Sequence, residues 1–141
     1  MDDKTYSVGE ASAATGVSSH TLRYYERAGL LTPVKRGKNG HRLYTQDDLN
    51  WVRFLTLLRV TGMPIAQMRR YMELIRAGAG NEAERLELFE RHREDMLARI
   101  GVLTNNLSAI ERKIAVYKGL QDTCVEPGEV PVPSVKGKFF E

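Results

Sequence analysis

The chain of 141 residues has a single cysteine, Cys124. An intrachain disulfide framework is therefore excluded, and the usage fits a reducing compartment. One chain also supplies only one of the two or more soft ligands that a zinc, copper or mercury site needs. No stretch reaches the roughly 18 apolar residues of a membrane span. The opening MDDKTYSVGE lacks the basic-then-apolar order of a secretory signal. These absences point to a cytoplasmic protein with no membrane partner. Histidine is scarce as well: His20, His41 and His92 stand far apart. No glycine phosphate fingerprint is present, and no nucleophile sits beside a base. An enzyme is not expected, and no cofactor or metal is implied.

Acidic residues are missing from one stretch above all. From His20 to Tyr44 the chain holds Arg23, Arg27, Lys35, Arg36, Lys38 and Arg42 against one acid, Glu26. Two histidines and three tyrosines (Tyr24, Tyr25, Tyr44) are interleaved with them. The wider balance follows the same trend. Residues 1–77 carry 12 basic and 7 acidic side chains, residues 78–119 carry 7 of each, and residues 120–141 carry 2 and 4. A basic head joined to a neutral remainder suggests a nucleic-acid partner at one end only.

Local signals then divide the head. Ser7-Val-Gly-Glu10 fits a capping box, so a helix starts at Ser7 and stops at Gly16. Ser18 or Ser19 caps a second helix that runs to about Ala28 and ends at Gly29. Two short helices joined by a glycine-containing turn make a helix-turn-helix. Residues 30–34 are extended, Asn39-Gly40 is a strong turn signal, and His41–Tyr44 returns as a strand. The result is a short hairpin with a basic tip, a wing. Thr45-Gln-Asp-Asp48 starts a third helix with Leu49, Val52, Leu55 or Phe54, and Leu58 at helical spacing. Gly62-Met63-Pro64 breaks it, and Ile65, Met68, Met72 and Ile75 line one face of a fourth.

Beyond residues 78–81, a glycine-rich linker, the period becomes a heptad. Leu86, Arg93, Ile100, Leu107 and Ile114 fall on a positions, and Phe89, Met96, Leu103, Ile110 and Tyr117 on d positions. All are apolar except Arg93, over a helix of about 55 Å at 1.5 Å per residue. A head of residues 1–77 is too small to bury such a seam, so the expected partner is a second copy, giving a homodimer. Gly119 ends this dimerisation helix of residues 82–119. Residues 120–141, with three prolines, read as an extended tail.

Several motifs together carry a resemblance. Tyr6-Ser-Val-Gly-Glu10, Thr21-Leu-Arg-Tyr-Tyr-Glu26, Gly29-Leu-Leu31, Pro33 and Gly40-His-Arg-Leu-Tyr44 are similar to those of the MerR family of bacterial transcriptional regulators. The order of elements over residues 5–119 is similar too. The resemblance implies a mostly α fold: a winged helix-turn-helix head, a second helix pair and a long antiparallel coiled-coil dimerisation helix. It implies a homodimer on near-palindromic double-stranded promoter DNA, with RNA polymerase at the same promoter, and switching by distortion of the DNA. Carried over by residue, it places Ser19, His20, Arg23, Tyr24 and Tyr25 of the recognition helix at the DNA. The wing residues Arg36, Lys38, His41, Arg42 and Tyr44 join them, as does Arg59. Arg23 has the geometry for a bidentate contact to guanine. Of the paired tyrosines, one is expected on a phosphate and the other partly in the core.

The metal and iron–sulfur sensors of that family carry several cysteines around the dimerisation helix; this chain has Cys124 alone. The expected signal is organic or electrophilic rather than a metal, with Trp51, Met72, Tyr117 and Cys124 as candidate effector residues. Two other readings compete. One is an effector-independent architectural or excisionase-like DNA-binding protein, against which the complete dimerisation helix argues. The other is a helical adaptor that binds no nucleic acid, against which the basic wing argues.

Overall fold

Hydroxyl caps set the helix starts in the computed structural model, which describes residues 4–119. The elements in order are β1 (Thr5–Tyr6), α1 (Val8–Thr15), α2 (Ser19–Arg27), β2 (Lys35–Arg36), β3 (Arg42–Thr45), α3 (Gln46–Val60), α4 (Ile65–Ala77) and α5 (Glu82–Tyr117). Ser7 and Glu10 form the capping box of α1: the Glu10 amide donates to the Ser7 hydroxyl at 3.1 Å, and the Ser7 amide to the Glu10 carboxylate at 2.9 Å. Thr45 and Asp48 repeat that reciprocal pair at α3. Ser18 caps α2 through the Thr21 amide. Gly16 closes α1 in the left-handed region, with φ 73°.

β1 has no counterpart in the expectation from sequence. It pairs antiparallel with β3 (Thr5 opposite Thr45, Tyr6 opposite Tyr44), and β3 pairs on its other edge with β2 (Lys35 opposite Leu43, Arg36 opposite Arg42). The wing is therefore the outer part of a three-stranded sheet in the order β1-β3-β2, not a free hairpin. The added strand makes β3 central.

The chain divides into two units that meet within α5, residues 1–92 and residues 93–141. The core of the first gathers Leu22 and Tyr25 of α2, Leu30 and Leu31 beyond it, and Tyr44 of β3. Leu49, Val52, Leu55 and Leu58 of α3 and Met68 and Met72 of α4 complete it. On α4 the buried residue near the C-terminal end is Leu74, with Ile75 only half-buried. The expected stripe of Ile65, Met68, Met72 and Ile75 is buried or half-buried throughout, and Leu74 is buried beside it because α4 has a second neighbour. Leu74 lines a hollow of about 170 Å³ with Glu84, Glu87, Leu88 and Arg91 of α5.

The first three turns of α5 belong to the head. Phe89 packs against Tyr71 (ring centroids 4.8 Å apart) and Phe54 (5.9 Å), and these two join Trp51 in one aromatic cluster. Phe89, expected at a d position of the seam, is half-buried and packs within its own chain. His92 is buried and its ring Nε2 lies 2.8 Å from the Thr61 hydroxyl. That hydroxyl also donates to the Leu57 carbonyl at 2.8 Å, so α5 is tied to the C-terminal end of α3. The connection at residues 78–81 is pinned rather than loose. The Asn81 side-chain Nδ2 donates to the Leu74 carbonyl at 2.9 Å, and Arg85 reaches both Leu74 and Gly78 carbonyls.

In the second unit the heptad stripe is bare. Ile100, Leu103, Leu107, Ile110, Ile114 and Tyr117 are all exposed, Leu103 and Tyr117 about two-thirds so. Met96 is half-buried, and Leu86, on the first unit, is exposed. The expected tail and Cys124 lie outside the described residues. Among the described residues, no helix is long and apolar enough to cross a membrane.

Candidate nucleic-acid interface

Helix α2 has two opposite characters, and its sequence explains both. Leu22 and Tyr25 are three residues apart and face the core, where both are fully buried. His20, Arg23 and Arg27 follow at spacings of three and four and are exposed. Ser19 is half-buried beside them. The first turn carries no acid, so the positive end of the helix dipole is uncompensated there. Such an end, with a histidine and an arginine next to it, can meet phosphate oxygens and base edges together.

The one acid of the basic stretch is turned inward. Glu26 accepts from Arg42 Nε at 3.0 Å through one carboxylate oxygen, and from the Val34 amide at 2.9 Å through the other. Its side chain is 15% exposed and that of Arg42 22%. One carboxylate thus ties the recognition helix to β3 and to the residue just before β2. Burial pushes the Glu26 carboxyl up, but the Val34 amide, the Arg42 bond and charge and the Arg36 charge outweigh it. The net shift is below the ordinary value of 4.5.

The wing tip is ordered by its own short bonds. The Gly37 amide donates to the His41 carbonyl at 2.8 Å, and the His41 amide to the Asn39 side-chain oxygen at 3.1 Å. Gly40 sits at φ 80°, where a side chain would be strained. Arg36 Nη1 donates to the Gly40 carbonyl at 2.9 Å, folding that guanidinium back along the hairpin. Lys35, Lys38 and His41 are exposed. Arg59 is exposed near the C-terminal end of α3.

Two of the residues expected at DNA are corrected. Tyr25 is fully buried and its hydroxyl lies 3.1 Å from the Thr56 hydroxyl, so it is the core member of the tyrosine pair. Tyr24, its ring centroid 6.2 Å away, is half-buried. Tyr44 is fully buried too, because β3 is the central strand and Tyr6 of β1 stands opposite it. Burial pushes the Tyr44 hydroxyl up, with the Arg42 charge opposing. Neither ring reaches a phosphate. Arg42 is changed in kind: half-buried and ion-paired, it braces the wing.

Sequence reasoning missed a second set of residues altogether. Arg53 of α3 donates to the Ala14 carbonyl at 3.0 Å, at the end of α1. Arg69 and Arg76 of α4 donate to the carbonyls of Ala28 and Gly29, both at 2.9 Å, at the end of α2. Basic residues were legible, but the carbonyls they hold lie 39 to 47 residues away. Only the orphan carbonyls at helix ends hinted that some donor must come. Among the candidate effector residues, Trp51 is half-buried at the edge of a shallow hollow of about 340 Å³ with Asp47, Asn50, Phe54 and Tyr71. Met72 is corrected: it is a core residue, 2% exposed. Tyr117 is exposed on the second unit.

Comparison with known proteins matches residues 6–75 to the model described as MerR HTH family regulatory protein. An uncharacterized HTH-type transcriptional regulator of Haemophilus influenzae is 36% identical over 114 residues, covering 81% of this chain and 84% of that protein. Two crystal structures are similar. One is HiNmlR, described as a MerR family regulator lacking the sensor domain, bound to promoter DNA. It is 35% identical with a TM-score of 0.74, covering 82% of this chain and 92% of that one. The other, a MerR family protein from Listeria monocytogenes, is 35% identical with a TM-score of 0.76, covering 80% and 86%.

The Glu26 brace is testable by charge and by pH. Glu26→Gln leaves the half-buried Arg42 without its counter-ion and is expected to cost about 1–2 kcal/mol of stability at neutral pH. In the wild type the folded carboxyl is the stronger acid. Its contribution is therefore complete above the ordinary glutamate range and is lost as pH falls through the lowered folded value. The gap between wild type and Glu26→Gln in urea midpoints should be open at pH 7 and should narrow below about pH 4. A gap unchanged at low pH would show that the carboxylate charge is not what braces the wing.

Proposed function

The chain belongs to the MerR family of helix-turn-helix transcription regulators, and from that premise we propose that it binds near-palindromic promoter DNA as a homodimer and switches transcription by distorting that DNA. The observation that carries the reading is the division of charge on α2: His20, Arg23 and Arg27 face solvent while Glu26 is turned into the wing. Arg23 reads a base edge in this proposal, and His20 and Ser19 sit at the same helix end. Lys35, Lys38, His41 and the half-buried Tyr24 lie along the flanking backbone, with Arg36 and Arg59 as further phosphate contacts. Promoter-bound RNA polymerase is the implied macromolecular partner, since distorting a promoter matters only to the enzyme that reads it.

The dimer rests on the bare stripe of α5. Six apolar side chains at heptad spacing from Ile100 to Tyr117 are exposed. A seam of that length left in water would be costly, and a second copy presents the same seam. In an antiparallel pair the two heads lie at opposite ends, and each reads one half-site.

The signal in this proposal is organic or electrophilic. The hollow at Trp51, Phe54 and Tyr71 offers aromatic faces with Asp47 and Asn50 at its rim, a chemistry suited to a small organic molecule rather than a metal ion. Cys124 is the one thiol available for electrophile addition. Without such a signal, the protein would be an architectural DNA-binding protein.

Three outcomes test these points. Arg23→Ala should cost about 1–3 kcal/mol on the cognate site and relax preference at one position of each half-site. Equal loss on random duplex would remove Arg23 from base reading. Leu107→Asp puts a charge in mid-seam, and sedimentation should then give a monomer. Its DNA affinity should fall by about a hundredfold or more as the second half-site is lost; a dimer that persists would put the seam elsewhere. Trp51 is the chain's one tryptophan, so its emission reports on the hollow. Organic activators of the promoter should shift that emission and metal salts should not. Metal-dependent activation that disappears in Cys124→Ser would overturn the organic reading.

A further inference from the structure

The C-terminal end of the recognition helix is held from outside it. Within the segment, the Ala28 amide donates to Tyr24, the Gly29 amide to Glu26, and the Leu30 and Leu31 amides to Tyr25, which engages three of the last-turn carbonyls of α2. The carbonyls of Ala28 and Gly29, just past the helix end, turn to α4. They accept from Arg69 Nε and Arg76 Nη2, each at 2.9 Å. Arg69 and Arg76 are seven residues apart, two helical turns, and so lie along one edge of α4. Guanidinium groups suit this place, because a helix C-terminus carries roughly half a negative charge on its free carbonyls.

Two anchors do what one cannot. A single bond at a helix end is a pivot, whereas two bonds to one helix edge fix a direction. Of the residues that face solvent for reading, His20 lies at the other end of α2 and Arg23 at its middle. Over nine residues, about 13 Å, a tilt of about 10° moves the far end by about 2 Å. That is enough to break hydrogen bonds to base edges. Helix α4 is fixed in turn, since Asn81 and Arg85 hold its own terminal carbonyls, Leu74 and Gly78, from the start of α5. An unbroken line of carbonyl-to-side-chain bonds thus runs from α5 through α4 to α2.

We propose that Arg69 and Arg76 are positioning residues for DNA reading: they set the pitch of the recognition helix and make α4 the strut by which α5 reaches it. The proposal rests on the reading of the chain as a sequence-specific DNA-binding protein. Neither arginine needs to touch DNA. A plain contribution of charge would favour every duplex alike, whereas positioning favours only the site whose base edges α2 must meet.

The test uses the full chain and two duplexes: one recovered by the wild-type protein from a random-sequence pool, and a scrambled version of it. Arg69→Lys and Arg76→Lys, singly and together, keep the charge and lose the planar fork. Arg69→Met/Arg76→Met loses both. The double Lys variant should bind the scrambled duplex as wild type does and the selected duplex several-fold more weakly. The double Met variant should lose about tenfold or more on the selected duplex and about threefold or less on the scrambled one. Circular dichroism and sedimentation should match the wild type. Losses equal on both duplexes, or affinities unchanged on both, would overturn the positioning role. Should the double Met variant not fold, Arg76→Met alone decides by the same asymmetry. A wild-type protein that recovers no preferred sequence from the pool would instead overturn the DNA-reading premise.

Discussion

One carboxylate, that of Glu26, makes the recognition helix and the wing a single body. It accepts from a side chain of β3 and from a backbone amide ahead of β2, and both bonds are mostly shielded from water. Without it, a stretch with six cations and no other acid would repel itself, and the short strands β2 and β3 have little apolar surface to hold them. The same bonds explain why the lone acid does not spoil an anion-binding face. Its charge is consumed internally, and the exposed side of α2 keeps only His20, Arg23 and Arg27.

A similar economy applies to the other cations of the head. Arg42 braces the wing, Arg53 caps α1, and Arg69 and Arg76 cap the end of α2. Arg70 pairs with Glu73 and Glu84, which holds α4 to α5. The Arg70 pairs are exposed and individually weak, yet the one with Glu84, like the bonds of Arg42, Arg53, Arg69 and Arg76, links separate elements, so together they restrain how the helices sit. The cations left for an external anion include those of α2, the wing tip and Arg59 of α3. Net charge alone would overstate the electrostatic surface, because nearly half of the head's basic residues are engaged within the fold.

Helix α5 changes character along its length for a reason visible at three residues. Phe89 joins Phe54 and Tyr71, and His92 meets Thr61, so the first three turns are anchored inside the head. Past Arg93 the same heptad spacing continues, and its leucine and isoleucine side chains are exposed on the chain. A periodic pattern states that a face is apolar; it does not state what covers it. The aromatic ring at position 89 and the imidazole at 92 find cover in their own chain, whereas Ile100 to Tyr117 are exposed on it.

Most of the secondary structure was legible because its signals are local. Ser7, Ser18 and Thr45 cap amides within three residues, and Gly16 and Pro64 interrupt helices by their own backbone limits. The poverty of acid between His20 and Tyr44, and so the location of the binding face, was equally plain. β1 escaped notice because two residues carry too little pattern to read. Which aromatic and basic residues stay available was decided only by tertiary structure. Tyr24 and Tyr25 are neighbours in sequence, yet one hydroxyl meets Thr56, 31 residues away, inside the core. Tyr44 is buried on the wing strand because β1 makes that strand central, and Arg42 has its Nε engaged by Glu26, 16 residues back. Caps and turns act over a few bonds and are written in the chain, whereas burial and ion pairing depend on what arrives from far along it, and that is known only once the chain has folded.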